Sequence, residues 1–320
     1  MMRKIWQQDG FRWIWKVRKE MLIGGIEAGG TKIVCGAAEV MEEGIHILDR
    51  MRFATGRPEE AVRKAADYFK DFPIKALGVA CFGPLDLRKD SATYGHIMAT
   101  PKKGWEHFDL LGPFEKEIGV PAVLDTDVNG AALGEGAYGA GKGKSVVAYI
   151  TVGTGIGVGL SIGGKPLHGL VHPEGGHMPV VRAPGDTYEG CCTFHRDSFL
   201  PAGCLEGYAA GPAIEKRWGE KGENLGSRSE VWEMEAFYLS QGVSQIALLC
   251  SPDIIILGGG VMHQASLFPM VRERVKDQMH GYVHAPILDG DLSDYIVPPA
   301  LGDDAGLAGA CRMGYDWLKS

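Results

Sequence analysis

Two stretches of this chain share one pattern: an apolar run, a glycine-threonine turn and a second apolar run. The first joins 21–26 to 33–35 through Gly25-Ile26-Glu27-Ala28-Gly29-Gly30-Thr31-Lys32. The second joins 146–150 to 158–162 through Thr151-Val152-Gly153-Thr154-Gly155-Ile156-Gly157. Each predicts strand, tight turn, strand. Between them the periodicity predicts a strand over 46–53, a helix over 59–69 and a strand over 76–81 that stops at Phe82-Gly83-Pro84-Leu85-Asp86. A helix over 110–118, a strand over 122–125 and a small-residue helix over 129–135 follow. After the second turn come a long irregular stretch (168–211), helical segments over 229–250, a buried strand over 254–257 and a last helix over about 305–318. Strands alternating with helices indicate α/β layers. One such turn alone is compatible with an ordinary hairpin. Two of them, over a hundred residues apart, suggest a duplicated domain gripping one polyphosphate from both sides, because successive N–H groups and a threonine hydroxyl can cradle phosphate oxygens.

The chain has 320 residues, more than a typical single core, so two domains are expected. The reading divides them at 21–124 and 125–304, with the helix at 305–320 packing back on the first. A net charge of -7 argues against a nucleic-acid groove, and no apolar run reaches membrane-spanning length. Residues 1–20 are basic and tryptophan-rich but lack the apolar centre and cleavage site of a signal peptide. They are read as an extension outside the fold; an amphipathic membrane-surface helix around Trp13 and Trp15 is the alternative. Seven cysteines without a secretory signal speak against a disulfide framework and for the cytoplasm.

Chemistry concentrates at three places. Asp127, delivered by a strand end to a helix start, is placed to accept the proton of an attacking hydroxyl. Asp125 is the competing carboxylate, and Asp127 is preferred because it stands nearer the helix start. In His172-Pro173-Glu174-Gly175-Gly176-His177, Glu174 suits vicinal sugar hydroxyls. His177, Cys192, His195 and Cys204 form a candidate tetrahedral zinc set, with Cys191 as alternative to Cys192. A closed structural site of this kind would organise 168–211, which is too long for a structureless loop. Gly258-Gly259-Gly260, directly after a buried strand, lets a flat ligand such as adenosine lie against the backbone.

Together these residues resemble the bacterial ROK-family sugar kinases, most closely the zinc-containing fructokinase branch. The marks are GGIEAGGTK at 24–32, FGPLD at 82–86, ATPKKGW at 99–105, TDVNGAALGE at 126–135, YITVGTGIGVG at 149–159, HPEGGH at 172–177, the Cys/His cluster, GPAIEKRW at 211–218, IILGGGVM at 255–262 and DYIVPP at 294–299. The resemblance implies two ribonuclease-H-like α/β domains of the actin/sugar-kinase/Hsp70 superfold flanking a cleft. It implies transfer of the γ-phosphoryl of ATP, with Mg²⁺, to a hexose hydroxyl, with Asp127 as general base. Gly83, Asn129, Glu174 and His177 go with the sugar. Glu27, Gly29, Gly30, Thr31, Lys32, Thr154, Gly155, Pro212 and Gly258–Gly260 go with the nucleotide, Glu27 acting on magnesium through water. Zinc would be structural, and a homodimer is the family habit. ATPKKGW tilts the substrate to D-fructose, giving fructose 6-phosphate; glucose, mannose or an N-acylmannosamine is the alternative. One departure stands out: the gap from His195 to Cys204 is longer than that branch's usual spacing. A non-catalytic sugar-responsive regulator is disfavoured, since only twenty residues precede the first strand and the chain is acidic. A chaperone-like scaffold of the same superfold has no need of a sugar base.

Overall fold

The computed structural model describes residues 21–195 and 203–320. The expectations for residues 1–20 and for the segment 198–201 lie outside the described residues.

The first glycine turn joins β1 (Leu22–Ala28) to β2 (Lys32–Val40), and β3 (Ile45–Ala54) continues the antiparallel edge. The chain then crosses through α1 (Pro58–Phe69) to β4 (Leu77–Cys81) and through α2 (Leu111–Ile118) to β5 (Ala122–Thr126), giving the order β3-β2-β1-β4-β5. β1, β4 and β5 run parallel, and β4 is buried along its whole length between helical layers. α1 begins with Pro58 in its first turn and Glu59 and Glu60 behind it, residues that suit a helix N-terminus. α2 stops at Gly119, whose φ of 77° is the left-handed C-cap.

The second sheet repeats the plan. β6 (Val146–Val152) and β7 (Ile156–Ile162) flank the second turn, β8 (Lys165–Pro166) extends the edge, and β9 (Ile254–Gly258) and β10 (Ile296–Val297) add parallel strands on the other side. Its order is β10-β9-β6-β7-β8. Helices α4 (Leu205–Ala209), α5 (Gly211–Trp218), α6 (Ser229–Cys250) and α7 (Leu267–Met279) belong to this half. α5 and β10 are absent from the sequence expectation, whereas a helix-like segment after Gly260 is expected and α7 follows there. α7 buries Leu267, Phe268, Val271, Val275 and Met279, one helical face.

The two sheets meet through a helix pair. α3 (Asp127–Tyr138) lies on β6 and β7, while α8 (Ala305–Lys319) lies on β1 and β4, where Leu307, Cys311 and Tyr315 join the core around Ile23. The pair crosses at backbone contact: a Cβ on Gly309 would fall 1.6 Å from the Gly130 carbonyl oxygen. Glu135, fully buried near the end of α3, accepts from the N–H groups of Ala140, Ala300 and Leu301. That carboxylate ties the end of α3 to the segment that leads into α8.

Candidate active site

Three parallel strands of the first sheet end side by side, with Ala28 opposite Cys81 and Cys81 opposite Thr126. Just beyond these ends lie the Gly29–Thr31 turn, Gly83 and Asp127. The turn is braced from outside: Gly29 N donates to Lys32 O, Thr55 Oγ1 donates to Gly29 O at 2.7 Å, and Thr55 N donates to Thr31 O. Among the described residues the N–H groups of Gly30 and Thr31 have no acceptor, which leaves them for an anion. The second turn is built alike. Gly153 N donates to Gly155 O, Gly211 N donates to Gly153 O, and Ile156 N donates to the Glu206 carboxylate at 2.9 Å. Thr154 and Gly155 keep free N–H groups among the described residues, and Pro212 stands in the first turn of α5 beside them.

A cleft of about 460 Å³ opens between the halves. Glu27, Gly29, Thr31, Lys32, Asp127 and the glycines at 258–260 line it, joined on the far rim by Asp303. Two of its carboxylates are perturbed. Burial, then the Asp127 charge, pushes Glu27 up to about 7, and its Oε2 is buried with no partner among the described residues. Burial pushes Asp127 up to about 6, against the Val128 N–H that donates to its Oδ1 at 2.9 Å. Such a carboxylate is poised to take a proton near neutral pH.

Asp125 faces away from this cleft. It is buried, accepts from Thr126 N and Asn129 Nδ2 through Oδ1, and holds His168 Nε2 at 2.9 Å through Oδ2. Asn129 is the amide partner of Asp125. It is fully buried beneath the cleft, its Nδ2 donating to Asp125 and its Oδ1 accepting from Leu160 N. Through these two bonds Asn129 braces α3 on β7.

The 172–177 loop reaches across to the first sheet. Leu85 N donates to His172 Nε2 at 3.0 Å, placing the ring proton on Nδ1, which lies 3.4 Å from Glu174 Oε1. Gly83 faces both groups: a Cβ there would sit 3.1 Å from the His172 ring and 3.7 Å from Glu174 Oε1. The loop lies flat on β7, so close that a Cβ at Gly176 would meet Ile156 O at 1.8 Å. Desolvation, with the charges of Glu206 and Asp127 behind it, raises the Glu174 carboxyl. The roles of His168, His172 and Glu206 were missed in the sequence. His172 stands two residues before Glu174, but nothing local shows that its partner is the backbone of Leu85.

The four candidate metal ligands converge. The ligand atoms of His177, Cys192, His195 and Cys204 all lie within 4.8 Å of one another. Cys192 Sγ is 3.4 Å from His195 Nδ1 and 3.9 Å from His177 Nδ1, and Cys204 Sγ is 3.6 Å from His177 Nδ1. Tetrahedral zinc with ordinary bond lengths puts sulfur and nitrogen about 3.6 Å apart, so the donor set fits one such ion. Cys192 rather than Cys191 joins the cluster; the Cys191 thiol turns to Glu206 O. Pro179 pairs with Cys204 and Cys191 N donates to Gly207 O, so three separate segments are already laced together around the ligands.

The profile of the ROK family matches residues 23–315. The chain belongs to the ROK family. Among ROK relatives, a fructokinase of Pediococcus pentosaceus is 40% identical over 300 residues, 94% of this chain and 100% of its own. A fructokinase of Streptococcus mutans is 39% identical, covering 88% of this chain and 93% of its own. In three dimensions, a ROK glucokinase from Streptomyces griseus, solved with glucose and AMPPNP, superposes with a TM-score of 0.72 at 26% identity over 92% of this chain and 99% of its own. The two five-stranded sheets are therefore those of a ROK sugar kinase.

Proposed function

We propose that this ROK protein phosphorylates D-fructose with ATP, forming fructose 6-phosphate. The substrate rests on one observation: relatives that carry the fructokinase name are 39–40% identical along nearly the whole chain, whereas the glucokinase neighbour is 26% identical. The site supplies the means. The first turn borders the cleft together with Gly258–Gly260, which would take the adenosine, and the free N–H groups of Thr154 and Gly155 would meet the polyphosphate from the other half. Glu174, beside Gly83, takes sugar hydroxyls at the far end.

The oxygen of the 6-hydroxyl attacks the γ-phosphorus in line. A new P–O bond forms as the bond to the bridging oxygen breaks, ADP leaves with that electron pair, and the hydroxyl proton passes to Asp127. Amide N–H groups aimed at the transferred group offset its charge without reorganising. Burial of the unpartnered Glu27 Oε2 fits a cation held through water, and Glu27 would hold Mg²⁺, which supplies charge neutralisation on the phosphates. His177, Cys192, His195 and Cys204 would hold a structural zinc that fixes the 172–207 region, since all four positions are protein ligands. The halves 21–124 with 305–320, and 125–304, act as the two jaws. We place the enzyme in the cytoplasm as a homodimer; among the described residues no helix is long and apolar enough to cross a membrane.

The test is ADP release with ATP and Mg²⁺ against D-fructose, D-mannose, D-glucose and N-acetylmannosamine, each beside a sugar-free control. Turnover highest on fructose and absent without sugar supports the proposal. Preference for another hexose overturns the substrate, and ATP hydrolysis indifferent to sugar overturns the kinase reading.

A further inference from the structure

The ATPKKGW segment, which by resemblance tilts the substrate to D-fructose, is tightly placed. Trp105 is fully buried, donates from Nε1 to Gly56 O at 2.9 Å and packs edge-on against Phe82 at 5.2 Å. Met98 N donates to Pro84 O at 2.8 Å, and Trp105 N donates to Lys102 O. These bonds set the backbone of Lys102 against the outlet of β4. From there its ammonium donates to the carbonyl of Gly30 and stands 5.9 Å over the Phe82 ring.

Those two neighbours fix where the charge lies. Gly30 is the outermost residue of the first phosphate turn, and Phe82 directly precedes Gly83, which faces Glu174. Because β1 and β4 end in register and Phe82 N donates to Ala28 O, the span from Gly30 to Gly83 is the line between the phosphate side and the sugar side. Lys102 is suspended on that line. Among the described residues it has no carboxylate partner, only a carbonyl and an aromatic face. Both are weak holds for an ammonium, which pairs far more strongly with an anionic oxygen. Lys32, the other nearby cation, lines the nucleotide cleft itself and is felt by Glu27.

We propose that Lys102 is a catalytic residue that leaves the Gly30 carbonyl to pair with the oxygens of the phosphoryl group in transit, and then with the 6-phosphate of the product. The inference deepens the sugar-kinase reading and rests on it. A flexible four-carbon stem carrying a point charge suits a group that moves between two oxygens, ADP's and the sugar's. The atoms exchanged are those given for the transfer above; Lys102 contributes charge and no proton.

The experiment uses the full chain with Lys102→Met, Lys102→Arg and, as control, the exposed neighbour Lys103→Met. Steady-state kinetics are read with fructose and ATP varied, and affinities for fructose and fructose 6-phosphate are read by calorimetry. Lys102→Met is expected to lose about 100-fold in kcat, the scale of one removed transition-state contact, with either KM changed less than about threefold. Its affinity for fructose 6-phosphate falls about tenfold while that for fructose holds, Lys102→Arg recovers part of kcat, and Lys103→Met stays near wild type. A kcat for Lys102→Met within about threefold of wild type overturns the proposal. So does a parallel loss of affinity for fructose and its phosphate with a lowered Tm, which marks a merely structural bond to Gly30. If the wild type phosphorylates a different hexose, the substrate reading alone fails, and the same variants measured on that hexose and its phosphate still decide Lys102.

Discussion

Asp125 and Asp127 sit two positions apart in opposite surroundings. The first is sealed by Thr126, Asn129 and His168; the second opens on the cleft and accepts from the Val128 N–H. Their order was legible, because a carboxylate at a helix start after a strand points out of the sheet edge. The burial of Asn129 was not, since its Oδ1 accepts from the N–H of Leu160, 31 residues on. Asp127→Asn is expected to reduce kcat by about 1,000-fold while leaving ADP affinity within about twofold, measured by single-turnover assay and calorimetry. The pH dependence follows from the raised carboxyls. Asp127 must be unprotonated to act, and burial holds its proton up to about 6. The kcat/KM for fructose should rise with pH through about 6 and level above 7. A profile already flat at pH 5 would show that the general base has an ordinary carboxylate pKa.

At the scale of elements, the hairpins, the strands β3 to β5 and the helices α1, α2 and α8 follow directly from apolar period and glycine or proline punctuation. The helix-like segment expected after Gly260 is followed through to α7, where Pro269 stands in the first turn, removes no intrahelical bond and is tolerated. The two-residue β10 is too short for any period to register. Sequence also hid the crossing of α3 and α8, since small residues in a helix say nothing of what presses on them. Gly309→Ala tests it. Alanine is normally the better helix former by about 1 kcal/mol, yet here its methyl collides with the Gly130 carbonyl. Net destabilisation of about 3 kcal/mol in urea unfolding is expected, and a stabilised variant would show the helices to be further apart.

For the molecule as a whole, the longer gap between His195 and Cys204 does not keep either ligand from the cluster. The sequence named the four side chains that converge because soft donors in a polar stretch are rare; it could not choose between Cys191 and Cys192, which only the backbone's direction decides. Stripping metal with a chelator should lower Tm by about 5 °C or more and expose the 172–207 region to protease, with Cys204→Ser reproducing both effects and abolishing further response to chelator. An unchanged Tm after complete metal removal would show that no ion supports the loop.

The contact between Gly130 and Gly309 also sets how such a molecule can open. Where two backbones touch, sliding is blocked, and what remains is swivelling about the point of touch. Asp127 lies less than one helical turn from this fulcrum, and Glu27 packs beside Gly306, one turn before Gly309. A swivel of about 10° displaces an atom 5 Å from the pivot by less than about 1 Å, but one 20 Å away by about 3.5 Å. The two raised carboxylates are thus seated where leverage is least, and the rims of the cleft where it is greatest.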